Sequence, residues 1–239
     1  MRKILIIAAC ALSIVGTTTA QEAESSVSFE TGFDAVSRYI WRGLQFSDSP
    51  NVQPYMSVGY KGLSLTGWGS YVLGNNYAEI DLYLSYTTHG LTLSLNDYFT
   101  EDETDLSSTN WRNWESEETV HLVEACVIYT TSGENHPLTL TASTLIYGAD
   151  DLDETAEQRY STYFEASYPF VFSDHEFALT LGGTATDTGY YASHAGVVNV
   201  GVEAVREIKV NEHFAIPLSL AMIYNPENDD SFFVLKLSF

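Results

Sequence analysis

The sequence predicts an all-β chain: a single transmembrane antiparallel up-and-down β-barrel of about 12 strands, after a cleaved signal peptide. Three observations predict it. The 239-residue chain opens with Arg2 and Lys3, continues with an apolar run from Ile4 to Val15, and places Thr18 and Ala20 just before Gln21. That order of basic, apolar and small residues is an export signal. The apolar run is short for a spanning helix, which needs about 20 residues, and no other long apolar run follows. The remainder alternates apolar with polar residues in short stretches, which is how a barrel crosses a membrane without a hydropathy peak. Finally, Tyr and Phe recur near the ends of those stretches. Residues 1–20 are therefore assigned to the signal peptide and 21–239 to the barrel.

Composition narrows the function. Arg2 and Lys3 leave with the signal peptide, so eight Lys and Arg face 32 acids, a formal charge of −24. No basic surface remains for phosphates, which excludes nucleic acid as a partner. Ile7-Ala8-Ala9-Cys10 imitates a lipidation box, but cleavage there would leave a signal of only nine residues. Cys126 is then the only cysteine of the mature chain, so no internal disulfide is expected.

The elements follow in order. From Val27 the alternation runs as one long strand to Arg42. Val27, Phe29, Thr31, Phe33, Ala35, Tyr39 and Trp41 fall on the outer face, with Glu30, Asp34, Arg38 and Arg42 on the inner face. The second strand, Val52 to Tyr60, sends Met56 and Val58 out and Gln53, Tyr55 and Ser57 in, with Pro54 interrupting its ladder. Further strands are read at Leu63–Leu73, Tyr77–Thr87, Leu91–Phe99, Thr119–Thr130, Leu138–Tyr147 and Tyr160–Phe170. Phe177–Ala185, Val197–Arg206, Phe214–Tyr224 and Ser231–Phe239 complete the set, and the even total suits a single-chain barrel. In the last of these, Phe233, Leu235, Leu237 and Phe239 share one wall, opposite Val234, Lys236 and Ser238.

The connections alternate in length. Lys61-Gly62, Thr88-His89-Gly90, 132–137, 171–176 and 207–213 read as short periplasmic turns. The two longest gaps, 100–118 and 148–159, fall on the opposite, extracellular side; Gly74–Asn76 on that side is an exception, as short as a turn. A secreted β-sandwich, the rival fold, needs neither an even strand number nor aromatic bands at both ends.

Strand parity lines the lumen with Glu30, Asp34, Glu79, Asp81, Glu124, Glu165 and Glu203 against Arg38, Arg42 and Lys236. Inward Tyr55, Trp68 and Tyr83 narrow it. Such charges either brace the interior as ion pairs or make a cation-preferring pore, and both readings stay open. The loop acids Glu101, Asp102, Glu103, Asp105, Glu115, Glu117 and Glu118, with Trp111 and Trp114 between them, read as a solvated loop. Asp150, Asp151, Asp153, Glu154 and Glu157 form a second, without the spacing of an EF-hand; divalent cations bridging these loops to lipid are the sharper reading. No metal site is assigned. His89, His136, His175 and His213 lie in periplasmic turns, too far apart around a rim for shared coordination. Ser193-His194 would sit on opposite faces of an extended segment, and Asp174-His175 lies at the inner rim, so no catalytic residues and no cofactor are expected.

Ser37-Arg38-Tyr39-Ile40-Trp41-Arg42-Gly43-Leu44 resembles the opening motif of the Gcw_chp-type conserved hypothetical bacterial outer-membrane proteins. Pro50-Asn51-Val52-Gln53, Gly67-Trp68-Gly69-Ser70 and Glu79-Ile80-Asp81-Leu82-Tyr83 continue the likeness, which runs from about Phe29 to Tyr86. Beyond that it is thin, because Asp97-Tyr98-Phe99-Thr100 enters an acidic loop where the family has a Tyr-rich segment ending in proline. The resemblance implies an outer-membrane barrel, closes the first strand at Arg38, Tyr39, Trp41, Arg42 and Gly43, and brings no activity. The final strand, ending on Phe239, likewise resembles the closing strand and assembly signal of such barrels. It implies outer-membrane lipid, lipopolysaccharide and the barrel-assembly machinery as partners. The expectation is a narrow acidic-lined channel for small cations or polar solutes, not an enzyme. The alternative is a non-conducting barrel acting through its acidic loops.

Overall fold

The computed structural model describes residues 27–74, 77–102, 110–132, 137–173, 175–212 and 214–239. The expected signal peptide lies outside these, as do Glu103, Asp105, His136, Asp174 and His213.

Twelve antiparallel strands close into a barrel. In chain order its first half is β1 (Ser28–Val36), β4 (Asn51–Tyr60), β5 (Leu63–Val72), β6 (Tyr77–Thr88), β7 (Leu91–Asp102) and β8 (His121–Thr130). The second half is β9 (Thr139–Tyr147), β10 (Thr162–Phe172), β11 (His175–Thr184), β12 (Gly196–Lys209), β13 (Ala215–Asn225) and β14 (Asp230–Ser238). The chain also forms a separate two-stranded hairpin of β2 (Tyr39–Trp41) and β3 (Leu44–Ser47). Every barrel strand pairs with its sequence neighbour in the wall, and β1 pairs with β14 in the register Asp34↔Ser238, Ala35↔Leu237 and Val36↔Lys236. One step further, Phe33 and Phe239 exchange both backbone bonds at 3.1 and 3.0 Å, and their rings stack 4.7 Å apart. Closure leaves the sheet without an edge.

The wall has two chemistries because side chains alternate across it. Met56, Val58, Leu65, Leu84, Leu93, Val127, Leu179, Val202, Leu220, Phe233 and Leu235 are all exposed, an apolar belt facing outward from strand after strand. Thr66, Ser70, Asn96, Ser143, Ser167, Thr180 and Ser219 are buried on the other face. A soluble protein buries its apolar face; this chain buries its polar one, as a barrel in lipid must. Pro54 is accommodated where β4 leaves its pairing with β5 between Val52 and Tyr55, so the missing N–H coincides with a gap in that ladder.

One expectation is overturned here. The alternation from Val27 to Arg42 is not a single strand. β1 stops at Val36, the chain bends at Ser37 and Arg38, and the hairpin folds into the barrel. Tyr39 and Trp41 are therefore buried within the interior core and do not face outward. The turn that allows this is Arg42-Gly43, with φ of 52° and 80°. Two consecutive positive φ values give the tight reversal that matches hairpin twist. Gly43 also lies against the Val198 carbonyl, where a β-carbon would not fit.

Candidate functional site: the lumen closure

The hairpin spans the interior and touches opposite walls. Tyr39 and Trp41 join Trp68 of β5, Tyr83 of β6, Tyr98 of β7, Leu122 of β8, Leu145 of β9, Tyr163 of β10 and Val198 of β12 in one buried cluster. Ile40, of opposite parity, packs on Ala221 and Ile223 of β13 and Phe232 and Val234 of β14. Asn225 donates to the Gly43 carbonyl at 3.1 Å and fixes the hairpin tip. A second segment enters from the β11–β12 connection. There Thr188 Oγ1 accepts from the Tyr191 and Ala192 amides at 3.0 and 3.2 Å, and Tyr191 and Ala192 are buried in the same cluster.

Arg42 sits at the centre of this plug, 5% exposed. Its Nη1 donates to Glu124 Oε1 and its Nη2 to Glu124 Oε2 at 3.1 Å, the two-pronged geometry that only a guanidinium gives. Nη1 also donates to the Tyr191 hydroxyl at 2.6 Å. The guanidinium carbon lies 4.3 Å from the Trp41 ring centre and 4.6 Å from that of Tyr163, so aromatic faces replace lost water. Glu124, fully buried, further accepts from the Tyr98 hydroxyl at 2.7 Å and the Cys126 thiol at 3.1 Å. A buried ion pair is tolerable when most of its remaining valences are bonded in this way; of the guanidinium nitrogens, Nε has no hydrogen-bond partner.

The other residues expected in the lumen have varied surroundings. Glu79 and Asp81 are buried on β6 beside the hairpin, where the Tyr77 hydroxyl donates to Glu79 at 2.6 Å and that of Tyr83 to Asp81. Glu165 accepts from Tyr163 at 2.6 Å and from Asn199 at 3.2 Å. Glu203 of β12 is buried with neither oxygen hydrogen-bonded, while Lys236 stands 4.0 Å from Asp34. Glu30 is exposed; Arg38 and Tyr55 are half-buried. The interior thus brings Arg42 together with Glu124 and leaves Arg38 without an ion pair among the described residues.

Three features escaped the sequence reading: the inward tyrosines of the wall, those of the β11–β12 connection, and His121. Tyr98 and Tyr163 have inward parity and were legible in principle, whereas Tyr190 and Tyr191 lie in a connection with no periodicity. His121 faces outward at the start of β8, beside the long acidic loop. Its Nδ1 lies 2.9 Å from Asp97 Oδ1 and its Nε2 2.9 Å from the Trp111 carbonyl oxygen. Trp114 stacks on it at 3.8 Å and Trp111 meets it edge-on, so this acidic loop folds over the outer wall. Ser193 and His194 are not placed on opposite faces, because the segment bends. Ser193 Oγ donates to Glu227 Oε1 at 2.9 Å and His194 Nε2 lies 3.3 Å from Glu227 Oε2. Ser193 Oγ also lies 3.3 Å from His194 Nδ1, so with its hydrogen on the carboxylate the hydroxyl can only accept from that nitrogen. The Ser193 amide and hydroxyl, donating together, hold the Glu227 carboxyl below the usual carboxylate range. Thr155, followed by the Glu157 and Thr155 amides, does the same for Asp153 in the other acidic loop.

No family model matches the chain, and no curated protein matches it. Among solved structures, the KdgM porin superposes with a TM-score of 0.47 at 6% identity, covering 88% of this chain and 96% of that one. In fold, the chain is similar to outer-membrane barrels. The outer-membrane protein OpdK from Pseudomonas aeruginosa gives 0.41 at 12% identity over 92% and 67% of the two chains. Outer membrane phospholipase A from Escherichia coli gives 0.43 at 10% identity over 87% of each. The barrel assignment rests on the closed strand order itself.

Proposed function

We propose that this chain is a bacterial outer-membrane barrel of the Gcw_chp type, forming a narrow acidic-lined channel for small cations or polar solutes that is held shut by its own hairpin. The observation that carries the reading is the pair formed by Arg42 and Glu124, which ties the hairpin tip to the β8 wall and satisfies both charges where a pore would otherwise run. Membrane insertion is supported by the apolar outer belt and by the polar, buried inner face. Lipid and lipopolysaccharide are the partners that belt fits, and the β14 strand with Phe233, Leu235, Leu237 and Phe239 on its outer wall is the segment offered to the assembly machinery. Cation preference follows from Glu30, Asp34, Glu79, Asp81, Glu165 and Glu203, whose charge the lumen bases do not cancel.

The test is liposome swelling with small polar solutes, comparing the intact barrel with a variant whose residues 39–47 are replaced by a short Gly-Ser linker. Faster swelling with the variant supports a gated channel; equal rates at the lipid background for both remove it. A second reading has its own observation. Trp111 and Trp114 are 40% and 45% exposed on a loop clamped to the outer wall, a rigid aromatic edge suited to contact with a neighbour or with lipid headgroups. On that reading the barrel never conducts, and its acidic loops, with bridging divalent cations, are the working part.

A further inference from the structure

Glu79 and Asp81 are alternate residues of β6, so both side chains leave the same face, and their exposures are 4% and 0%. No base balances them. Among the described residues, Arg42 is bonded to Glu124, Lys236 is nearest Asp34, and Arg38 forms no ion pair. Phenols approach the carboxyls instead, Tyr77 donating to Glu79 Oε2 at 2.6 Å and Tyr83 donating to Asp81 Oδ2. Such bonds favour the ionised carboxylate without cancelling its charge. Asp81 Oδ1 is buried and receives no hydrogen bond from a donor, while the carboxyls of Glu79 and Asp81 approach each other within hydrogen-bonding reach. Two buried carboxylates without counter-charge are costly, so something positive belongs between them. Two protons or a single divalent ion would neutralise the pair, and only the ion would also fill the coordination left open at Asp81 Oδ1. Donors that are all oxygen select a hard ion of the Ca²⁺ or Mg²⁺ type over a softer metal.

We propose that Glu79 and Asp81 form a divalent-cation site in the wall of the plug, with Asp81 Oδ1 as its open ligand position. The site adjoins the hairpin, since the Tyr39 ring lies 6.5 Å from that of Tyr77. A bound ion therefore also steadies the closure, a consequence that rests on the gated-channel reading, whereas the binding itself does not.

The experiment uses the refolded full-length barrel, its folded state checked by heat-modifiable gel mobility, with terbium(III) as the probe and Ca²⁺ as competitor. Tyrosines beside the site sensitise terbium luminescence. The expected result is a saturable signal that Asp81→Asn and Glu79→Gln each weaken on the order of tenfold or more in affinity. The triple loop variant E115Q/E117Q/E118Q leaves it unchanged. An unchanged signal in both lumen variants would place the ion on the loops and overturn the proposal. Absence of any signal from folded wild-type barrel would overturn it too, leaving a carboxyl pair that shares a proton. If the amide variants fail to fold, Tyr83→Phe decides: dimmer luminescence supports the site, undiminished luminescence removes it. Conductance is read separately, so a silent channel leaves this result untouched.

Discussion

Arg42 and Glu124 stand 82 positions apart in sequence and meet in the barrel interior through two parallel hydrogen bonds. Neither charge has water to fall back on, since their side chains are 6% and 0% exposed. Removing one partner strands the other. Glu124→Ala is expected to cost about 3–5 kcal/mol, the usual penalty for an orphaned buried charge. Replacing both, as in Arg42→Met with Glu124→Leu, is expected to cost distinctly less. Guanidinium unfolding of the refolded barrel in detergent, followed by tryptophan fluorescence, measures the two.

The turn beside that pair is strained and therefore sensitive. Arg42 occupies a φ of 52°, a region that disfavours side chains by about 1–2 kcal/mol, and its contacts hold it there. Gly43 has no such choice, because a β-carbon would run into the Val198 carbonyl. Gly43→Ala is expected to destabilise the closure by at least about 1 kcal/mol. Its readout is a lower unfolding midpoint in the same assay, with far-UV circular dichroism of the barrel strands unchanged.

The outer wall was legible because lipid enforces strict alternation on it, strand after strand. The same rule misled at Ser37 to Arg42. Tyr39 and Trp41 continue the parity of Phe33 and Ala35, so an apolar face turned to lipid and one turned into an aromatic core look alike. Arg42-Gly43 carried the signal of a turn, but one was not needed until the interior had to be filled. Parity also set Glu79, Asp81 and Glu124 on the inner face, where they are buried. Which acid meets which base was not readable, because partners across a barrel depend on its shear. The inward course of Tyr190 and Tyr191 left no periodic trace.

On the outer wall, His121 clamps the loop that carries Trp111 and Trp114. His121→Ala leaves the Asp97 carboxylate half-buried without its ring partner and removes the surface on which Trp114 stacks. An unmade bond of this kind costs about 1–3 kcal/mol, here charged to the local opening of residues 110–120. Limited proteolysis is expected to cut this loop about tenfold faster or more in the variant, with the barrel itself intact.

Acid should loosen one mouth of the barrel at a single clip. The Glu227 carboxyl lies below its ordinary range because the Ser193 amide and hydroxyl bond to its ionised form. A carboxyl lowered on folding stabilises at pH above its ordinary value, about 4.3, and loses that contribution as pH falls through the lowered value. Hydrogen exchange at the Ser193 amide, compared at pH 6 and below pH 4 after correction for intrinsic rates, is expected to show protection only at the higher pH. Glu227→Gln is expected to reduce protection at pH 6.

The central claim is that the hairpin keeps the lumen shut, and single-channel recording in planar bilayers tests it most directly. Wild-type barrel should be silent at low voltage, while Glu124→Ala should give discrete steps whose reversal potential favours potassium over chloride. Steady wild-type conductance, equal in size to that of Glu124→Ala, would contradict it.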